Sequence, residues 1–458
     1  MLEAKVERVP RTTKLIYALG EFGPSVGVGT VIPFYFLFFL TDVAHLRAGL
    51  AGTILLVARL WDAVNDPLVG LLSDRTRSRW GRRKPYMVAG TVPMGITFAL
   101  LWVVPPLADA TALVLYYLVV YLLFDLFYTL VTGPYVALTP EMTLDADERT
   151  SVVTYRMVVS IVTGLAAAVA MPFVFNAAPS MQAGFAILGV SIGFISALPY
   201  LAIARVVDER PEFQQDAAFG LLQSLRSVLR NRAFWISLGI YLLGWMAIAL
   251  VEAVFAYYVV YWVGMPEEDS PILLALILGS ATLFLPVVNG LSHRLEKKWA
   301  YVVSTAVWAL AHLTLWFIPQ MMLLPVAVVA AVAGLGVASA HVLPMAMGVD
   351  VLESVELDSG QRQEGVFGGL SAFVHKLATS LALFALGWAL EWAGYVGDAP
   401  SQTPQALLAI RTLVSLVPCL LLVGSLFLAA RFPITRERHW EMRAELAARR
   451  ASRLQGLG

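Results

Sequence analysis

Cysteine is nearly missing from this sequence: Cys419 is the one thiol in 458 residues, which excludes an intramolecular disulfide and any zinc site built on cysteines. Charge is also scarce. Asp, Glu, Lys and Arg make up 14% of the chain, where a soluble globular protein carries roughly 25%. The 32 basic residues balance the 32 acidic ones, so the chain lacks the cationic excess that a nucleic-acid partner requires. The six histidines form no H-E-x-x-H pair, and the phosphate-loop pattern G-x-x-x-x-G-K-[ST] is missing. Without a nucleophile–base set or a cofactor fingerprint, neither an enzyme nor an intrinsic ATP-driven pump is expected, and no cofactor. What the chain has in quantity is apolar surface, with 59% hydrophobic residues and a mean hydropathy of +0.74. Such a chain belongs in a bilayer.

A helix needs about 20 apolar residues to cross the hydrocarbon layer. Charge-free runs of that length predict about twelve spans, near 14–42, 47–73, 86–105, 111–138, 151–175, 183–205, 234–263, 271–292, 299–318, 322–349, 366–393 and 405–430. The fold class is therefore all-α membrane protein. The polar stretch Val207–Arg232 divides it into an N-terminal six-helix bundle (1–207), a connector (208–231), a C-terminal six-helix bundle (232–431) and a tail (432–458). Ser73 and Arg75 after the second span recur as Ser292 and Arg294 after the eighth, a weak sign of internal duplication. Lys and Arg collect on alternate loops, which predicts both termini in the cytoplasm and the chain in the cell (inner) membrane. The first apolar stretch is too long for a cleavable signal peptide. Nothing in the tail marks an obligatory protein partner, so a small-molecule solute and membrane lipid are the expected partners.

Within the second span, WDAVNDP (Trp61–Pro67) sets Asp62 and Asp66 one helical turn apart, with Asn65 beside them. Each charge at that depth costs at least ~2.5 to 3.5 kcal/mol on insertion scales, so the pair needs a compensating partner. Oxygen ligands of this kind suit a hard cation, and two carboxylates can instead share a proton. Arg59, one turn away, offers a purely structural ion pair to Asp62 but leaves Asp66 alone. Three further acids lie within spans: Glu21, in a Gly/Pro-rich stretch expected to break or bend the first span, Asp125 in the fourth, and Glu252 in the seventh. Glu252 has three open roles: solute contact, proton carrier, or partner of Lys376. His341, near Pro344, is a candidate for the cavity wall. Tyr257, Tyr258, Tyr261 and Trp262 read as an interfacial aromatic belt.

The loop after the second span reads DRTRSRWGRRKP (Asp74–Pro85). Together with Thr41-Asp42, WDAVNDP, YTLVTGPY (Tyr128–Tyr135), GQRQEGVF (Gly360–Phe367) and FPIT (Phe432–Thr435), it resembles the glycoside-pentoside-hexuronide:cation symporters. These are the melibiose permease group of the major facilitator superfamily. The matches run in order along nearly the whole chain. The resemblance implies two six-helix bundles with alternating access, a cation site at Asp62, Asn65, Asp66 and Thr129, and sodium or a proton as coupling ion, with sodium placed at Asp62 and Asp66. It further implies a cytoplasmic latch at Gly70, Asp74, Arg75, Gly81, Arg82 and Arg83, and basic residues near the cavity at Arg156 and Lys376, for each of which structural pairing with a buried acid is the open alternative.

The two sugar-gripping acids of the melibiose permease are matched here by Ser25 and Thr132. Neutral hydroxyls hold sugar hydroxyls less strongly than carboxylates do. The expected function is cation-coupled symport of a sugar or glycoside, though not of a melibiose-type galactoside. A lysolipid-like amphiphile and a non-transporting sensor on the same fold are the alternatives.

Overall fold

The computed structural model describes residues 8–143, 145–207, 209, 228–359 and 364–455. It is helical throughout, with no strand among the described residues. Nine helices there are long and apolar enough to cross a membrane, and the expected twelve follow once three features are read. Ala48–Arg75 and Lys84–Leu101 add two spans of 28 and 18 residues, the first of them carrying Arg59, Asp62 and Asp66 in its middle. Ser270–Leu315 runs as one helix through two expected spans, broken only where Glu296 leaves helical geometry at φ 74° and ψ 156°.

The first span, Arg11–Phe36, does not break at its Gly/Pro stretch but tightens to a 3-10 turn at Leu19–Glu21 and then widens. Gly23–Phe36 winds as a π-helix with Pro33 inside it. Proline has no N–H and pushes away the carbonyl one turn back, and the wider winding absorbs that misfit. The last span is instead kinked, with Pro404–Val414 and Leu416–Ala430 meeting at Ser415. Pro418 cannot bond the Val414 carbonyl four residues back, and His312 Nδ1 donates to that oxygen from 2.8 Å. His312 is thus a packing histidine that repairs a proline kink.

Helix starts follow local chemistry. Asp109, Asp145, Ser180, Asn231 and Thr403 each accept a backbone N–H three residues on, satisfying a donor that the helix leaves open. The third and sixth spans touch backbone to backbone, because a Cβ on Gly95 would lie 2.6 Å from the Gly193 carbonyl oxygen. The second and eleventh do likewise across the two bundles, a Cβ on Gly387 falling 2.9 Å from Gly52 Cα. Small residues allow this approach where lipid supplies no hydrophobic drive. Large apolar side chains such as Phe173 and Leu283 point outward, as in a protein solvated by acyl chains.

The expected connector falls largely outside the described residues, as does GQRQ of the GQRQEGVF segment. The tail forms the helix Arg436–Gln455, which packs on the tenth-span helix Leu323–Ser359 through buried Met442. His439 Nε2 stands 3.0 Å from Glu353 Oε2 at that contact.

Candidate substrate and cation site

Three neighbouring chambers that share wall residues lie among the helices. The first, of about 490 Å³, is walled by the second and fourth spans and opens past Gly70, Ser73, Arg83 and Ala137 toward the face that carries both termini. Val28, Ile32, Arg59, Tyr121 and Lys376 also line the second chamber, of about 320 Å³, whose far wall carries Trp245, Glu252, His341 and His375. Gly29, Glu252 and His341 stand between it and a third, of about 150 Å³, lined mostly by apolar residues of the C-terminal bundle such as Val251, Leu278, Val329 and Val337.

The carboxylates of the second span meet at the first chamber. Lys376, from the eleventh span, holds Nζ 2.9 Å from Asp62 Oδ2 and also pairs with Asp66. Thr129 donates to Asp66 Oδ1 at 3.0 Å, so the fourth span delivers the hydroxyl expected there. Arg59 Nη1 lies 3.8 Å from Asp62. Asn65 turns the other way and donates to the carbonyl and the carboxylate of Asp125, both at 3.3 Å. Asp62, Asn65, Asp125 and Thr129 are buried, while Asp66 faces the open chamber. Three carboxylates therefore share the site with two cationic side chains, which leaves one uncompensated negative charge when all are ionised.

Among the other expected cavity residues, Thr132, Glu252 and His341 line the chambers. Glu21, Ser25 and Arg156 do not. Glu21 and Arg156 form a buried pair, Nη2 to Oε1 at 2.5 Å, with the Tyr135 hydroxyl donating to the same oxygen at 3.2 Å. A charge this deep is stable only when paired, and each has taken the other. Ser25 donates to the Ser160 carbonyl at 2.5 Å, because the wide first-span helix turns it toward the fifth span. Lys376 is spent on Asp62 and Asp66, not on Glu252 as one expectation held.

The loop Asp74–Pro85 folds back on its own bundle. Arg82 Nη2 and Arg83 Nη1 both lie 2.5 Å from Glu141 Oε1. Gly81 adopts φ 98° and leaves room for Glu209, whose carboxylate accepts the backbone N–H groups of Arg82, Arg83 and Lys84 at 2.7 to 2.9 Å. Gly70 lines the chamber and Arg75 is exposed, whereas the side chain of Asp74 lies outside the described part.

The aromatic-belt reading is overturned. Tyr257, Tyr258 and Trp262 are buried, and their neighbours close the end of the cavity opposite the termini. Asp42, at the end of the first span, accepts from Tyr261, from the Asp398 N–H at 3.1 Å, and from Tyr395, whose hydroxyl is 2.7 Å from both its oxygens. Thr41 Oγ1 and Tyr257 OH lie 2.8 Å apart beside it. An acid in the last turn of a helix opposes the helix dipole, and that was the sequence signal for an external donor set.

Comparison with known proteins agrees with this architecture. The family described as MFS/sugar transport protein matches residues 16–436. The chain is 32% identical to the uncharacterized symporter sll1374 of Synechocystis sp., over 97% of this chain and 98% of that protein. It is 29% identical to the sodium-dependent lysophosphatidylcholine symporter 1 of Gallus gallus, over 96% of this chain and 90% of the other. With the putative glycoside/cation symporter YagG of Escherichia coli the identity is 27%, over 96% and 95% of the two chains. The nucleoside transporter NupG shares the fold at a TM-score of 0.67 and 14% identity, with 92% of this chain and all of that one covered. With the family matched along almost its whole length and its helices in the same arrangement, the chain belongs to the MFS/sugar transport protein family, a symporter family of the major facilitator superfamily.

Proposed function

We propose that the chain is a cation-coupled symporter that loads sodium or a proton between Asp62 and Asp66, with Thr129 as a further oxygen, in exchange for Lys376. The charge balance carries this reading. One monovalent cation that takes the place of the Lys376 ammonium leaves the net charge of the set with Asp62, Asp66, Asp125 and Arg59 unchanged, so the loaded and unloaded sites each keep a positive charge between the buried carboxylates. In the inverse state Lys376 supplies the positive charge itself. The chamber opening beside Gly70 and Ser73 is then the cytoplasmic entrance, following the distribution of Lys and Arg.

The solute is an amphiphile whose polar head occupies the two charged chambers and whose tail passes Gly29, Glu252 and His341. The apolar third chamber supports this over a plain sugar, reversing the order reached from the sequence, and a lysophosphatidylcholine symporter is among the relatives. A glycoside is the second reading, supported by the polar walls of the first two chambers and by YagG.

Proteoliposomes under an inward sodium or proton gradient, supplied with labelled lysophosphatidylcholine or a labelled glucoside, test both. Gradient-dependent accumulation of the lysolipid is expected. Accumulation of the glucoside alone favours the second reading, and binding of either without exchange marks a sensor.

A further inference from the structure

A cavity of about 720 Å³ lies apart from the transport path, on the face that carries the termini, between the loop Asp74–Pro85 and the third and sixth spans. Arg79, Lys84 and Arg205 line it, with Trp80 at its rim and Val88, Leu201 and Ala204 at its inner wall. Among the described residues Glu209 is the one acid in that lining, and its oxygens are engaged by the backbone N–H groups that start the third-span helix. Arg205 reaches, among the described residues, only the carbonyl of Leu201 in its own helix, at 3.4 Å, and the Arg79 guanidinium stands 5.5 Å from the exposed Trp80 ring. The mouth is thus cationic and bordered by an aromatic suited to the membrane interface.

Two apolar stripes lead away from it. On the third span, Val92, Ile96 and Leu100 follow Val88 at intervals of four residues, one below another on the helix face, and all three are exposed. On the sixth span, Leu198, Phe194, Val190 and Ile187 continue from Leu201 and are likewise exposed. The seam between the stripes is closed by the Gly95–Gly193 contact, so it forms a shallow groove rather than a gap.

We propose that this cavity and groove bind one anionic diacyl phospholipid of the cytoplasmic leaflet, with its phosphate between Arg79 and Arg205 and its acyl chains along the two stripes. A free phosphate would use the cationic mouth but gain nothing from the stripes, whereas a zwitterionic lipid would use the stripes and gain less from the mouth. The bound lipid ties the basic loop to the third and sixth spans, independently of what the transporter carries.

The test is native mass spectrometry of the purified full chain titrated with phosphatidylglycerol, phosphatidylcholine or inorganic phosphate. The wild type should bind one phosphatidylglycerol at least about 10-fold more tightly than phosphatidylcholine, from roughly 1 kcal/mol per basic residue near the surface. Arg79→Gln/Arg205→Gln should erase that preference, and a control pair elsewhere, Arg11→Gln/Arg294→Gln, should keep it. Val88→Trp, which fills the inner wall and leaves every charge in place, should also weaken phosphatidylglycerol binding. Thermal unfolding in detergent reports whether each variant is folded. Equal binding of the two lipids by the wild type, full preference in the folded double glutamine variant, or displacement of the lipid by equimolar phosphate would each overturn the proposal.

Discussion

Lys376 of the eleventh span holds its ammonium 2.9 Å from Oδ2 of Asp62 in the second, so a cation belonging to one bundle sits in the carboxylate pair of the other. The two halves of the molecule are therefore joined electrostatically at the point where a coupling ion would bind. In the proposed exchange, loading that ion removes the tie and so links ion occupancy to bundle movement.

Asp62→Asn and Asp66→Asn should each lower cation-driven accumulation in vesicles by at least about 10-fold, since each removes a ligand and one charge from a site of low dielectric constant. Solute counterflow without a gradient should survive in at least one of them. Unchanged uphill transport and ion dependence in both variants would reduce the pair to structural partners of Arg59 and Lys376.

Lys376→Gln removes the internal competitor and leaves the carboxylates with Arg59 alone. The expected result is tighter cation binding by calorimetry together with slower net transport, because the empty carrier has lost its own counter-charge. Weaker cation binding would show that the lysine supports the site rather than competing for it.

Asp42→Asn should loosen the end of the cavity opposite the termini, where the carboxylate gathers donors from Tyr261, Tyr395 and Asp398. Hydrogen bonds to a charged group contribute about 1.5 to 3 kcal/mol each, enough to move the inward/outward balance by more than tenfold. In a Cys419→Ser background, a cysteine at Thr379 in the second chamber should react faster with an impermeant thiol reagent added outside. An unaltered labelling rate would count against a gating role.

Glu21→Gln should lower thermal stability by about 3 to 5 kcal/mol, because it strands Arg156 in a buried position. The double variant Glu21→Gln/Arg156→Gln should recover much of that loss and retain solute affinity. A selective loss of affinity with unchanged stability would return the pair to the solute site.

Topology is tested by labelling from outside in the same cysteine-free background. Asp109→Cys should react and Arg79→Cys should not, given the distribution of Lys and Arg over the loops.

The sequence by itself determined the solvent, the number of spans and the placing of two carboxylates on one face of the second span. Apolar run length is set by bilayer thickness, and Asp62 and Asp66 share a face because a helix turns once in 3.6 residues. Such properties are local, and a single helix carries them. The partners of those carboxylates, and the destinations of the other buried acids, were decided only by tertiary structure. Glu21 and Arg156 are far apart in sequence, as are Asp42 and Tyr395, and nothing local says which buried charge will meet which donor. The turn of Ser25 away from the cavity depends on the π winding of the first span, which a regular helical period does not anticipate. The apolar chamber beyond Glu252 is lined mostly by aliphatic and aromatic side chains, among them Val251, Leu278, Phe255 and Trp308, that read as ordinary span residues. Only the angles between packed helices leave a space there, because the volume between helices is a property of their arrangement and not of any one of them.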